Sequence, residues 1–393
     1  MTGIFPYTST LYEKEKPEDG YWAIMCADIC SALGKHGEIC EPLPLNKEFI
    51  KKYATAPYSI TFNYTPELST NEGSVWTNST KKVILISLDH PSYLYDQIDQ
   101  QLKKAPDLKQ RFFGVMEEEH LYFMNSMGVP KEQCFLFPQA GPPPIQENIK
   151  PIAERSHDIV FLGRVHMPAT HEAFIKQLNI KQPALSHALN AAFSKILQQI
   201  ELSHRDVYSI IVEEIGKIDS SLHIKGTRTS AILTRGIDAH FRQVRRLNLL
   251  QQFENYPVNI VGIVAPEIIK RFPNFNFLGP KSFRESATLL NDTKILLNDT
   301  INLKSSLLMR FFYGTANGCI IASEINKYVL KEFKPEKEFL PISPRSFRHL
   351  ELLEKCLSDS NFAQKIANNA MEKYKNSHLW EDRVLPLLKA IQR

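Results

Sequence analysis

Two short stretches of this 393-residue chain hold side chains able to manage a proton and an anion. The first is Asp89-His90-Pro91, directly after the apolar run Lys82–Leu88. A carboxylate beside an imidazole at a strand end can orient and tune a general base. Pro91 stops the strand and restricts His90 to an extended conformation. The competing reading is a turn in which Asp89 caps a helix over Tyr93–Gln101. The second stretch is Lys304-Ser305-Ser306 with Arg310. Helical spacing over Ser305–Ala316 puts Leu308, Phe311, Phe312 and Thr315 on one side. The free amides at such a helix start suit a phosphate. Ser305 or Ser306 would cap it, and Lys304 and Arg310 add positive charge.

The elements that must position these groups alternate. Lys294–Leu297 is a short apolar run, Asn298–Asn302 is polar, Asn317-Gly318 stops the helix, and Cys319–Ala322 is a second buried run. A βαβ unit of this kind places its loop at the carboxyl edge of a parallel sheet, where open α/β folds bind ligands. The same motif recurs upstream: His157–Leu162 leads to Gly163-Arg164, Pro257–Ile263 contains Gly262, and Phe275–Leu278 precedes Gly279-Pro280. Short strands are also expected over Ser59–Tyr64, Lys82–Leu88, Arg111–Met116 and Cys134–Phe137. The fold class is α/β, with parallel sheets and crossover helices. The Pro/Gly-rich segment Pro138–Pro144 marks the domain boundary. The expected division is 1–145 and 146–375, with a helical insertion at about 166–255, and a terminal helix over 376–393.

The stretch Lys294–Ser323 resembles the carboxyl-terminal domain of GT-B glycosyltransferases, most closely the spore-maturation (CgeB-like) group. The counterparts are Lys294–Asn298, Arg310–Tyr313 and Ala316–Ala322. Gly163-Arg164 is similar to the end of the first donor-domain strand, and Gly262 to the end of the second. His378–Arg383 and Asp89–Pro91 also have likenesses there. The resemblance implies two Rossmann-like domains facing across a cleft, with the acceptor on the first and a nucleotide-diphosphate sugar on the second. Gly163, Arg164, Gly262, Asn298, Lys304, Ser305, Ser306, Arg310 and Tyr313 would then line the donor site. Arg164 would neutralise the diphosphate, and the loop at Gly262 would lie by the base. His90, oriented by Asp89, would take the proton of an acceptor hydroxyl. Tyr313 stands where the family places a glutamate that holds the donor ribose. In GT-B folds the last helix crosses back to the first domain, which makes Trp380 a structural anchor.

Three functions stay open on this reading. One is metal-independent glycosyl transfer from a nucleotide sugar, with no further cofactor. The second is a non-catalytic binding protein, favoured by Tyr313. The third is a sugar-nucleotide epimerase, for which only Glu117–Glu119 offer carboxylates. No GxGxxG follows the first strand, which disfavours a nicotinamide dehydrogenase. No Asp-x-Asp stands at a strand end to bridge a metal.

Bulk properties narrow the setting. The formal net charge of +4 is small for this length and gives no indication of nucleic acid. The six cysteines contain no CxxC pair and read as reduced core thiols of a cytoplasmic protein. No secretory leader or membrane span is expected. Leu233–Phe253 reads as a basic amphipathic helix with Arg242, Arg245 and Arg246 on one face. That face is expected to be solvated or salt-bridged, with contact to an anionic acceptor or the inner membrane surface as the other reading.

Overall fold

The apolar runs fold into parallel strands covered on both faces, as their lack of alternation requires. The computed structural model describes residues 2–7, 20–45, 47–62, 69–70, 73–143, 148–178, 180, 183–198, 206–300, 303–343 and 350–393. Asn63 and Tyr64 of the strand expected over Ser59–Tyr64, Pro144, the 145/146 boundary and Asn302 lie outside the described residues. The chain forms two compact units. One comprises Met1–Ala140, Ile224–Arg235 and Trp380–Arg393, and the other Gly141–His223 and Gly236–Leu379.

The first unit contains, in chain order, β1 (Gly3–Tyr7), α1 (Tyr21–Lys35), β2 (Cys40–Pro44), α2 (Lys47–Thr55) and β3 (Tyr58–Phe62). The short pair β4 (Ser69–Thr70) and β5 (Gly73–Ser74) follows, then β6 (Lys82–Ser87), α3 (Tyr95–Lys104), β7 (Arg111–Val115), α4 (Glu118–Ser126) and β8 (Cys134–Leu136). The main sheet has the order β2-β1-β3-β6-β7-β8, and every pairing is parallel. The strand expectations do not include β1 or β2, because Pro6, Pro42 and Pro44 interrupt their apolar pattern. The structure accommodates Pro42 and Pro44 on an edge strand, where prolines cost least, and sets Pro6 opposite Leu43.

The second unit begins with β9 (His157–Leu162) and the helices α5 (His171–Gln177), α6 (Pro183–Gln198), α7 (Val207–Ile218) and α8 (Arg228–Gln251). The division between the units runs through α8, after Arg235. Then come β10 (Val258–Val261), α9 (Pro266–Arg271), β11 (Asn276–Gly279), α10 (Phe283–Asn291), β12 (Thr293–Asn298), α11 (Met309–Ala316) and β13 (Ile320–Glu324). The unit closes with α12 (Lys327–Glu332), β14 (Leu340–Ile342), α13 (Leu350–Ser358) and α14 (Ser360–Ser377), and α15 (Val384–Gln392) belongs to the first unit. The sheet order is β11-β10-β9-β12-β13-β14, again all parallel. Numbered within the unit, this is the 3-2-1-4-5-6 order of a doubly wound Rossmann sheet. The strand order reverses between β9 and β12. The architecture is therefore α/β, with two Rossmann-like units.

Each unit has a buried arginine at the amino edge of its sheet. Arg111 opens β7, and its Nε donates to Gln101 Oε1 at 2.7 Å and Nη1 to the Lys81 carbonyl at 2.8 Å. Arg155 precedes β9 and donates to the carbonyls of Lys150 (2.8 Å), Thr293 (2.6 Å) and Asn317 (3.2 Å). These guanidinium groups replace water for carbonyls that the sheet edge would leave unpaired. Trp380 is buried and stacks on Phe137 within the first unit, at 5.7 Å between ring centroids. Among the described residues, no helix is long and apolar enough to cross a membrane.

Candidate functional site

The carboxyl ends of β9 and β12 form the switch point of the second sheet, the place where such sheets take ligands. Three glycines shape it. The Gly163 amide donates to the Val261 carbonyl at 2.8 Å, and the Gly262 amide to the Gly279 carbonyl at 3.0 Å. Gly262 has φ +141°, and a Cβ there would stand 2.3 Å from the Gly163 carbonyl oxygen. Only glycine fits that position. A Cβ on Gly163 would meet the Phe161 ring at 3.0 Å and Arg310 Nη1 at 3.2 Å.

A charged network fills the edge beside these glycines. Arg310, the second residue of α11, donates from Nη1 to the Leu162 carbonyl and from Nη2 to Asp299 Oδ1. Its guanidinium lies over the Phe161 ring at 5.0 Å. Arg246 of α8 donates from Nε to Asp299 Oδ2 at 2.7 Å and from Nη1 to the Arg164 carbonyl. Its guanidinium covers the same ring at 5.5 Å. Arg245 donates from Nη2 to Glu324 Oε2 at 3.0 Å and to Thr300 Oγ1 at 3.2 Å. Glu324 Oε2 also accepts from the Thr300 amide and hydroxyl, each at 2.9 Å. Arg245, Asp299 and Glu324 are all buried, and Arg310 keeps only 11% of its side-chain surface.

The electrostatics follow from this packing. Burial alone would raise the Asp299 pKa, but Arg246 and Arg310 beside it outweigh burial and bring it to about 2. Three guanidinium groups face two carboxylates, so the cluster keeps an excess positive charge. His166 responds to that field. It is held below its ordinary value first by burial and then by Arg164 and Arg246.

Several expectations change at this edge. α11 starts at Met309 rather than Ser305, and its N-cap Leu308 makes no side-chain cap. Ser305 and Ser306 therefore do not cap it. The cause is Asn326, whose Nδ2 donates to the carbonyls of Leu303 (3.2 Å) and Ser306 (2.8 Å) while its Oδ1 caps α12 through the Val329 amide. The Lys304 carbonyl accepts from the Lys327 amide at 3.1 Å. These bonds hold 303–306 off a helical path. Tyr313 is buried, stacks on Phe283 at 4.3 Å, and donates its hydroxyl to the Phe283 carbonyl. Burial pushes that hydroxyl's pKa well up. Its place is in the packing between α10 and α11. Asn298 is buried and donates from Nδ2 to Ser323 Oγ at 2.9 Å.

The basic face of α8 is salt-bridged, one of the two expected forms, and not solvated. Arg245 and Arg246 are buried, and Arg242 pairs with Asp238 at 2.7 Å. Asp299, Thr300 and Glu324 were not singled out by sequence. The available signal was an acidic residue at the carboxyl end of each of two buried strands, Asp299 just after β12 and Glu324 closing β13, together with an adjacent arginine pair.

In the first unit, His90 follows β6 and caps the short turn Pro91–Leu94. Its Nδ1 accepts from the Ser92 amide at 3.1 Å and lies 2.8 Å from Ser92 Oγ. An amide N–H can only donate, so the neutral ring carries its proton on Nε2. Nδ1 of the expected base is thus engaged within its own turn. The cap of this turn is His90 rather than Asp89. The His90 ring packs edge-on against His120 at 4.8 Å and Phe123 at 5.2 Å. His120 Nε2 in turn lies 3.1 Å from Glu117 Oε1, with both side chains buried. Asp89 is partly buried and lies near enough to Tyr21 to help burial raise that hydroxyl's pKa.

Comparison with known proteins bears on the second unit most directly. Residues 242–389 match a family model described as glycosyl transferase-like. No curated protein matches the chain. Similar solved structures include a sucrose-phosphate synthase from Thermosynechococcus elongatus, at 11% identity, TM-score 0.47, and coverage of 100% of this chain and 98% of that one. A glycosyltransferase from Rickettsia africae gives 11% identity, TM-score 0.49, and coverage of 100% and 98%. Anabaena Alr3699/HepE, solved with UDP and glucose, gives 8% identity, TM-score 0.45, and coverage of 100% and 97%. The matched stretch carries Arg245, Arg246, Asp299, Arg310 and Glu324. This part of the chain is thus glycosyl transferase-like, and the enzyme class it supports is glycosyltransferase.

Proposed function

We propose that this protein transfers a sugar from a nucleotide-diphosphate donor to an acceptor hydroxyl. The second unit would hold the donor and the first the acceptor. The observation that carries this reading is the excess positive charge at the β9–β12 switch point, within residues that match a glycosyl transferase-like family. In the reaction, the acceptor oxygen bonds to the anomeric carbon. The bond from that carbon to the diphosphate oxygen breaks, and its electron pair leaves with the nucleoside diphosphate. Arg164, Lys304 and the Arg246–Arg310 pair would stabilise that leaving charge, in place of a metal. Close backbone approach at Gly163 and Gly262 would admit the diphosphate.

On the acceptor side, His90 and Asp89 together would orient the acceptor hydroxyl and take its proton. Isothermal titration across uridine, guanosine and thymidine nucleotide sugars, coupled to an assay of released nucleoside diphosphate, tests the proposal. Binding with release is expected, and release should collapse in Asp89→Asn while donor binding persists. His90→Gln, which keeps a donor near the Nε2 position, should retain more turnover than His90→Asn, which keeps only the cap. Equal turnover in both would remove His90 from the reaction.

A second reading has one observation in its favour. Tyr313 occupies the place of the expected glutamate, and its hydroxyl is engaged by Phe283. A non-catalytic binding protein would bind the same donors and release no nucleotide.

A further inference from the structure

Three of the six cysteines lie together in the first unit, where α1 turns back into β2. Cys26 and Cys30 stand four residues apart on α1, so their side chains share one face. α1 packs against β2, and Cys40 is the first residue of that strand. The turn between them is tight. The Glu38 amide donates to the Leu33 carbonyl at 3.1 Å and the Gly37 amide to the Gly34 carbonyl at 3.0 Å, and Gly37 takes φ +80°. That reversal brings Cys40 back beside Cys30, and the two thiols are in side-chain hydrogen-bonding contact. Cys26 is the second helix thiol close to Cys40.

The three thiols differ in access. Cys26 has no exposed surface and Cys30 keeps 6%, while Cys40 is partly exposed on the edge strand. Burial raises the Cys30 thiol well above its ordinary value, and the contact with Cys40 and the nearby charge of Glu41 add to the rise. Tyr58, from β3, also lies close to both thiols. A thiol that keeps its proton is a slow nucleophile, so Cys30 is a poor first target for an oxidant. Cys40 is the member an oxidant reaches, and Cys30 stands beside it to resolve the product.

We propose that Cys30 and Cys40 form a reversible oxidation site, at which a peroxide joins them by a disulfide within one chain. The Cys40 sulfur attacks one peroxide oxygen. The O–O bond breaks, Cys40 becomes a sulfenic acid, and a first water leaves. The Cys30 sulfur then attacks the Cys40 sulfur. The S–O bond breaks, its electron pair leaves with the oxygen as a second water, and the S–S bond closes. Two thiols are oxidised and one peroxide is reduced to two waters. A dithiol reverses the step by exchange and ends as its own disulfide. The site is independent of the sugar-transfer reading.

In the test, the folded full chain is treated with hydrogen peroxide, denatured with N-ethylmaleimide present, and digested. Trypsin cuts after Lys35, which puts Cys40 on a different peptide from Cys26 and Cys30. Mass spectrometry should find these two peptides joined, lighter than their sum by two hydrogens, and dithiothreitol should part them. The link should be lost in Cys30→Ser and in Cys40→Ser and kept in Cys26→Ser. In Cys30→Ser, dimedone should label Cys40 several-fold more than in the parent, because the sulfenic acid is no longer resolved. A parent without the joined peptides, a link that survives Cys30→Ser, or a link that a non-reducing gel shows to lie between two chains overturns the site. If a serine variant does not fold, the parent decides alone, since fragmentation of the joined peptides shows which helix thiol carries Cys40.

Discussion

The two edges of the second sheet both bury arginine, and they use it differently. At the amino edge, Arg155 is surrounded by backbone carbonyls from Lys150, Leu290, Thr293 and Asn317. At the carboxyl edge, Arg245, Arg246 and Arg310 meet the carboxylates of Asp299 and Glu324, and the Nε atoms of Arg245 and Arg310 stay unpartnered. The first arrangement closes off hydrogen-bonding capacity and fixes strand starts. The second keeps charge and open valences where strand order reverses. Buried arginine therefore says little about function until its partners are known: carbonyls point to structure, and incompletely matched carboxylates point to a ligand.

Substitutions can break that contrast. Arg155→Ala should have the largest effect on stability, about 4 kcal/mol, because it strands several buried carbonyls and opens a cavity. Chemical denaturation measures it, and donor affinity of the folded fraction should be unchanged. A loss below about 1 kcal/mol would show that the amino edge is not held as argued.

Asp299→Asn should cost about 3 kcal/mol, since it weakens the pairing of two buried guanidinium groups. It should also change the acid limb of stability. The folded pKa of about 2 lies below the unfolded carboxyl value. The contribution is therefore present above about pH 4 and fades as pH falls from about 4 through 2, on the order of 2 kcal/mol. The Asn variant should lose that part of the slope in urea titrations between these pH values. An unaltered slope would mean that the two arginines do not hold the carboxylate as described.

Arg164→Ala and Arg246→Ala should each weaken nucleotide-sugar binding tenfold or more, about 1.4 kcal/mol. Parent-like affinity in both would place the diphosphate elsewhere. Tyr313→Phe should be mildest, losing about 1 kcal/mol of stability with its hydrogen bond and leaving donor affinity intact. A specific loss of affinity there would move Tyr313 from the packing into the site.

Much of the scaffold was legible in the sequence. β6, β9, β12 and β13 each contain an unbroken apolar run, and the glycines at 163, 262 and 279 stand where their strands end or just beyond. The charged network was less so. Whether Arg245 and Arg246 are solvated or salt-bridged stays open in the sequence because their partners, Glu324 and Asp299, lie 79 and 53 positions away. Local spacing cannot reveal a partner that only the sheet brings near. The start of α11 was hidden for the same reason, since Asn326, a residue of a later loop, decides it. His90 was legible as a residue at a strand end, but the proton on its ring depended on the Ser92 amide.

The contact between Gly262 and Gly163 has a consequence for variation in this chain. With a neighbouring carbonyl oxygen 2.3 Å from where any methyl would sit, position 262 should tolerate no replacement, although glycine has no reactive group. A saturation library scored for folding alone should therefore show an empty column at 262. A tolerated alanine there would mean that the β9 and β10 ends part more readily than their spacing suggests.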